Sequence, residues 1–327
     1  MGAMKAWRVH EFGDPDRVLR IEDVPVPEPG PGQIQIKPSV AGLNFAENLM
    51  LQGLYQMKPS LPYTAGFEVA GKVTATGADA PFQVGDRVAG IGSPPHGSLA
   101  QRSILEVPKS YPVPDGVLLE SACCLVGAYS TAHYALKVRA NLQAGDWVLV
   151  HAAAGSVGSA CIQLAKAWGA NVIATAGGPD KVAFCKAQGA DVVVDYLADD
   201  FVPIVRQETS GRGADIVCDN VGGDVFDAST RCTASRGRIL IIGFAGGRIA
   251  DVATNRVLLK NISIVGVMAA QDPWSELGLC VQDLFSIYES GKLDPPMTFV
   301  DFADVPDTYQ RIAARDCVGK YLVRIPN

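Results

Sequence analysis

Trp147-Val-Leu-Val-His151 runs directly into Ala152-Ala-Ala-Gly155-Ser156-Val157-Gly158, and a helical pattern follows through Ile162, Leu164, Ala165 and Trp168. A strand, a turn of small residues and a helix in that order can bind phosphate. Gly155 lets the backbone approach a pyrophosphate, Gly158 lets the helix pack close to the strand, and the free N–H groups at Ser156 and Val157 add to the helix dipole in holding the anion. The first glycine of the usual GxGxxG pattern is Ala152 here, but an AxxGxxG turn still places the last two glycines. The competing reading is an ordinary turn. What favours dinucleotide binding is the run of strands and helices around it.

The end of the next strand bears on which dinucleotide. An acidic residue about 20 positions on would accept a hydrogen bond from a ribose 2′-OH. The sequence there is Ala174-Thr-Ala-Gly177-Gly178, without a carboxylate, and Lys181 follows at the start of the next helix. An ammonium there would neutralise a 2′-phosphate, so NADP(H) is expected over NAD(H). Asp180 opposes this, and a solvated helix-end lysine is the plainer reading of Lys181.

These residues need elements to hold them. From about 146, apolar runs alternate with helix-length segments, the pattern of βαβ units around a parallel sheet. The runs are Trp147 to His151, Asn171 to Ala176, Val192 to Asp195, Asp215 to Asp219, Ile239 to Gly243 and Ile262 to Val267. Six strands suit a doubly wound Rossmann sheet. From 1 to about 125 the runs are short, such as Ile34 to Val40, Val69 to Thr76 and Asp86 to Ile91, with Pro and Gly at turn spacing. That reads as an irregular β-rich domain. After 294 the texture returns, and Lys320 to Ile325 is expected to complete the first domain. The expected division is 1–125 with 295–327, and 126–294.

The 327 residues are 48% hydrophobic and 19% charged, which excludes a disordered chain and suits two folded domains. Net charge is −6 with no basic run, so nucleic acid is not an expected partner. Eight scattered cysteines read as reduced core residues rather than a disulfide or zinc framework. No apolar run spans a membrane and no leader is evident, so the expected location is the cytoplasm. Met1-Gly2-Ala3 ahead of Met4 reads as an extension before the natural start.

The motifs together resemble the medium-chain dehydrogenase/reductase superfamily, in its zinc-free quinone oxidoreductase branch, the ζ-crystallin-like family. The resemblance covers nearly the whole chain. It rests on Gly42-Leu-Asn44-Phe45-Ala-Glu47 with Gln52-Gly-Leu-Tyr55, Ala65-Gly-Phe-Glu68-Val-Ala-Gly71, Val84-Gly-Asp-Arg-Val88, the 152–158 turn, Thr175-Ala-Gly177 with Lys181, Asp195-Tyr196, Asp219-Asn-Val-Gly-Gly223, Gly243-Phe244-Ala245 and Gly319-Lys320. It implies a GroES-like catalytic domain joined to a Rossmann domain, NADPH in the cleft between them, and a homodimer formed through the sheet edge. Its substrates would be quinones and α,β-unsaturated carbonyls. By position, Gly155 to Gly158 would hold the pyrophosphate, and Lys181 and Tyr196 the 2′-phosphate. Thr131, Asn220, Val221, Ile242, Gly243 and Phe244 would line the cofactor, Arg315 would reach its phosphates, and Asn44 and Tyr55 would lie near the nicotinamide.

Related alcohol dehydrogenases hold catalytic zinc with Cys and His, where this chain has Asn44 and Phe67. Neither is a practical zinc ligand, so no metal is expected. Without a metal to polarise an alcohol, hydride delivery to an electron-poor quinone or enone becomes the natural chemistry. For an enone, Tyr55 is the candidate proton donor; for a quinone, a hydroxyl or water near Asn44 suffices. Glu47 stands where relatives more often carry Asp. Leu51 stands where some carry Arg, which would make the cleft mouth more apolar. Gly178 replaces a serine that would touch the 2′-phosphate.

Plainer roles compete: Tyr55 as a pocket wall, Asn44 as a loop cap, Cys123-Cys124 as packing. The histidines are isolated, and none is assigned a role. Three functions stay open: an NADPH-dependent quinone reductase, an NADPH-dependent enone or enoyl-thioester reductase, and a non-catalytic NADPH-binding protein of the crystallin type.

Overall fold

The structure is a computed structural model that describes residues 2–326; Met1, the first residue of the segment expected to be an extension, lies outside them. The chain divides into two compact units: Met1–Gly127 with Trp274–Glu289 and Pro295–Asn327, and Ala128–Pro273 with Ser290–Asp294.

The second unit is built on six parallel strands, Trp147–Val150, Asn171–Ala176, Val192–Asp195, Ala214–Asp219, Thr233–Ile241 and Ser263–Gly266. Their spatial order is third, second, first, fourth, fifth, sixth, the doubly wound order of a Rossmann sheet. Each strand is a short apolar run because helices cover the sheet and bury Leu149, Ile173, Val217 and Ile239 completely. The fifth strand begins six residues before the apolar run that marks it in the sequence. Thr233-Ala-Ser-Arg-Gly-Arg carries too many polar residues to read as strand, but a register shift between Ala214 and Ile216 admits it to the ladder.

The first unit is β-rich. A sheet of three strands, Leu19–Pro25, Ala3–Val9 and Tyr63–Thr64, accompanies a seven-stranded sheet centred on Gln33–Leu43 and Glu68–Thr76. The C-terminal strand Lys320–Arg324 pairs antiparallel with Gln33–Leu43 and parallel with Met297–Val300 in the same sheet. Its core joins Trp7, Leu43, Leu51, Tyr63, Tyr309 and Tyr321. The helix Trp274–Glu289, which the sequence division puts with the second domain, belongs here. The Ser121 hydroxyl donates to the Tyr288 oxygen at 3.0 Å, and the Lys109 ammonium sits over the Trp274 ring. No helix among the described residues is long and apolar enough to cross a membrane.

Candidate functional site

In the second unit, the carboxyl ends of the strands gather most of the residues singled out in the sequence. Gly155 caps the helix Ser156–Ala167, whose first N–H groups, at Ser156, Val157 and Gly158, have no partner within the helix by its geometry. Gly158 is required by space: a Cβ there would lie 2.6 Å from the Cα of Ala153 and would also collide with the Ala152 carbonyl. Gly155 meets only the Ala152 carbonyl at 3.4 Å, so its small size serves whatever approaches the turn rather than the fold. Ala152 adopts a left-handed φ of 49°, a conformation that costs a residue with a Cβ about 1 kcal/mol. The Ala153 N–H donates to the Thr175 carbonyl, tying the turn to the second strand.

Beside the turn, the Asn220 amide donates to the His151 carbonyl at 2.9 Å. The loop after the fourth strand is shaped by Asp219, whose Oδ1 accepts from the N–H groups of Val221 and Gly222, both at 2.8 Å. The loop after the fifth strand hangs on it: Ile242 and Gly243 donate to the Asp219 carbonyl, Ala245 to Asn220, and Phe244 packs against Gly222. Asn220, Val221, Ile242, Gly243 and Phe244 are thus one continuous edge, none of them fully buried. One strand further out, the Tyr196 ring lies so close over Gly177 that a Cβ there would stand 2.7 Å from its hydroxyl, while the ring is still 50% exposed. Lys181 sits in the first turn of the helix Pro179–Ala187 that follows. Thr131 lies on the helix Ser130–His133, which packs against the helix opened by Gly155.

His151, given no role from the sequence, turns out to brace this edge. It is buried between the Thr175 and Ser229 hydroxyls at 2.9 and 2.8 Å, and burial pushes its pKa down to about 3.

The first unit carries the other three residues. Asn44 stands at the N-terminus of the helix Phe45–Leu51, where the Glu47 carboxylate accepts from its backbone N–H at 2.7 Å and from its amide at 3.2 Å. The capping role is therefore present, and a second bond is added to it: Lys320 donates to Asn44 Oδ1 at 2.6 Å. Tyr55 follows the other end of the helix, half-buried, its backbone N–H bonded to Leu49 and its pKa raised by burial. No hydrogen bond joins Asn44 and Tyr55 among the described residues. Arg315 is exposed at a left-handed φ of 59° in the turn after the helix Val305–Ala313.

One expectation is corrected. Leu51, expected to line an apolar mouth, is 1% exposed in the core with Trp7 and Tyr309, because the inward face of its helix carries it there. Glu47, which stands where relatives more often carry Asp, is a buried carboxyl. Desolvation and then the charge of Glu68 push it up to about 7, with Lys320 and the Asn44 bonds pulling the other way. Sequence reasoning also gave no role to Lys320 or Glu68, which form an ion pair at 2.5 Å, 3% and 5% exposed. The signal available was a lysine opening an apolar strand, Lys320-Tyr-Leu-Val.

Residues 30–115 match the alcohol dehydrogenase GroES-like domain, and 156–282 match the zinc-binding dehydrogenase domain. A quinone oxidoreductase-like protein 2 homolog from Nematostella vectensis is 34% identical over 98% of this chain and 88% of its own. This chain belongs to the quinone oxidoreductase family of medium-chain dehydrogenase/reductases. Against the quinone oxidoreductases of Pseudomonas aeruginosa and human, at 35% and 34% identity, the chain spans 61% and 62% of the relative's length. A mycobacterial protein solved with NADPH superimposes with a TM-score of 0.90 at 34% identity, covering 99% of this chain and all of that one. The Escherichia coli quinone oxidoreductase, also solved with NADPH, gives 0.91 at 27% identity over 98% and 100%. The family's GroES-like and Rossmann folds are those described above.

Proposed function

We propose that this protein is an NADPH-dependent oxidoreductase that reduces quinones without zinc. The observation that carries the reading is the phosphate turn, where space admits only glycine at 158, leaves Gly155 open, and points a helix N-terminus outward. Gly155, Ser156, Val157 and Gly158 would hold the pyrophosphate. Gly177, Lys181 and Tyr196 would receive the adenosine end, with no acidic side chain on the Ala174 to Gly178 segment to accept a ribose hydroxyl. Thr131, Asn220, Val221, Ile242, Gly243 and Phe244 would line the remainder, with Arg315 assigned from the first unit. The bound cofactor would supply hydride.

Zinc independence is supported by the donor chemistry. Phe67 has no ligating atom, and the oxygen of Asn44 is already occupied by the Lys320 ammonium, which would repel a cation. Asn44 would then hydrogen-bond the acceptor, and Tyr55, a phenol that burial keeps protonated at neutral pH, would stand beside it.

A second reading, reduction of enones or enoyl thioesters, is favoured by Tyr55 itself, since a protonated phenol can supply the proton that follows hydride addition. NADPH oxidation at 340 nm with 9,10-phenanthrenequinone, and separately with a trans-2-alkenal and crotonyl-CoA, decides between the two. Turnover of quinones supports the first and of alkenals the second, while NADPH binding without turnover of either supports a non-catalytic binding protein.

A homodimer through the second unit is part of the reading. The sixth strand, Ser263–Gly266, is an open sheet edge, and Leu258 and Leu259 beside it are 76% and 79% exposed. Light scattering of a monomer at micromolar concentration would remove it. A cytoplasmic location remains the expectation.

A further inference from the structure

Strand register explains how Lys320 reaches its partners. Leu322 pairs with Gly42, and Gly42 pairs on its other side with Glu68. Residues two apart share a face of a sheet, so Lys320 and Glu68 lie on one face with the strand Gln33–Leu43 between them. Their side chains can meet across that strand only because position 42 is glycine: a Cβ there would lie 2.8 Å from the Lys320 Cε and would collide with the Glu68 carboxylate. A Cβ at Gly127 would strike the same carboxylate. Two glycines thus clear a cradle for one buried ion pair.

The ammonium of that pair also sets an amide. Lys320 can only donate, so the atom of Asn44 at 2.6 Å from it is the oxygen, and Nδ2 faces the Glu47 carboxylate. The amide has a cation on its oxygen and an anion on one N–H, and its second N–H has no hydrogen-bond partner among the described residues. The cation on the oxygen draws electron density from the amide nitrogen and strengthens that remaining N–H as a donor, while the bond to Glu47 fixes which way it points.

We propose that Lys320 is the positioning residue of the reaction: its ammonium fixes the Asn44 amide so that the second Nδ2–H is presented to the acceptor's oxygen, where negative charge develops. The inference rests on the reading of Asn44 as the group beside the acceptor. A mere helix cap would need only the reciprocal bonds between Asn44 and Glu47, side chain to backbone each way, and Lys320 would be dispensable to it.

The test pairs Lys320→Met with Glu68→Gln, which removes both charges and leaves no buried carboxylate unpaired. With NADPH and 9,10-phenanthrenequinone, the double variant is expected to lose about tenfold or more in kcat, since the donor is misplaced rather than removed and outright removal costs about 10²–10³, while KM for NADPH holds. Lys320→Gln with Glu68→Gln, which keeps a donor to Oδ1 without either charge, is expected to fall between the wild type and that variant and serves if the first pair does not fold. Independently of turnover, the side-chain amide signals of Asn44 in a 15N spectrum, assigned with Asn44→Asp, should move in either variant. A folded variant with wild-type kcat and unmoved Asn44 signals overturns the proposal. Wild-type protein inactive on quinones and alkenals alike overturns the functional reading beneath it, while the amide signals still report whether Lys320 sets Asn44.

Discussion

His151 Nε2 lies 2.8 Å from the Ser229 hydroxyl, and that hydroxyl spends its only hydrogen on the Val225 carbonyl at 2.7 Å. Ser229 can therefore only accept from His151, which places the imidazole proton on Nε2 and leaves Nδ1 to accept from Thr175. The ring ties the end of the first strand to the second strand and to the helix Gly223–Cys232, directly under the phosphate turn.

Its titration follows. Burial lowers the pKa from the ordinary 6.5 to about 3, so the folded state resists protonation that the unfolded chain accepts. The stability this contributes is whole above about 6.5 and is lost as pH falls toward about 3. We expect imidazole 15N shifts showing the Nε2–H tautomer unchanged from about pH 8 to 5, with Tm declining over the acid window. A midpoint near 6.5 in those shifts would contradict the assignment.

Gly155 and Gly158 should separate under substitution. Gly158→Ala drives a methyl into the backbone of Ala152 and Ala153, an overpacking of the kind that costs about 1–3 kcal/mol or more, and should lower Tm before any cofactor is added. Gly155→Ala has room and an ordinary φ of −77°, so Tm should hold while NADPH affinity, read by fluorescence titration, falls. Equal Tm losses in the two variants would mean that both glycines serve packing alone.

How much of this was legible beforehand divides along a physical line. The parallel strands are apolar runs because both sheet faces are covered, so their positions could be read to within a residue at most ends. The fifth strand hid its polar first half, and the helix Trp274–Glu289 gave no sign that it belongs with the first unit. Glycine-turn residues are visible because their chemistry is local. Lys320, Glu68 and Gly127 meet only through strand register and tertiary packing, far apart in the chain, so no spacing rule points to their cluster. Leu51 was misread for the same reason: the side of a helix that faces the core is decided by what packs on it.

Cofactor choice can be tested at Lys181 and Tyr196. Lys181→Ala should weaken NADPH by about 1–2 kcal/mol, roughly a charge-assisted hydrogen bond, and leave NADH nearly unchanged. Kd values for both nucleotides measure this. Unaltered discrimination would remove Lys181 from the 2′-phosphate site, and Tyr196→Phe then asks whether the exposed phenol carries the preference.

Glu47 predicts a pH dependence of opposite sense to His151. Its folded pKa, about 7, lies above the ordinary 4.5, so the stability it contributes is whole below about 4.5 and is lost as pH rises through about 7. Glu47→Gln keeps an oxygen for the Asn44 N–H and cannot ionise. The Tm of the wild type relative to this variant should therefore fall between about pH 5 and 8. A difference that stays flat over that range would place the carboxyl's titration elsewhere.

Tyr55 distinguishes the two chemistries. As a proton donor it must lose its phenolic hydrogen in the cycle, so Tyr55→Phe should cut kcat for a trans-2-alkenal by about 100-fold, the lower range of general acid catalysis. Quinone reduction yields an oxyanion that is already stabilised and can take its proton from water, so the same variant should keep kcat within about threefold there and change KM if the ring only lines the pocket. Burial raises the Tyr55 pKa, so the phenol stays protonated across the neutral range, and the alkenal rate should not fall as pH rises through 8 on its account. An alkenal kcat untouched by the substitution would make Tyr55 a wall and leave the proton to solvent.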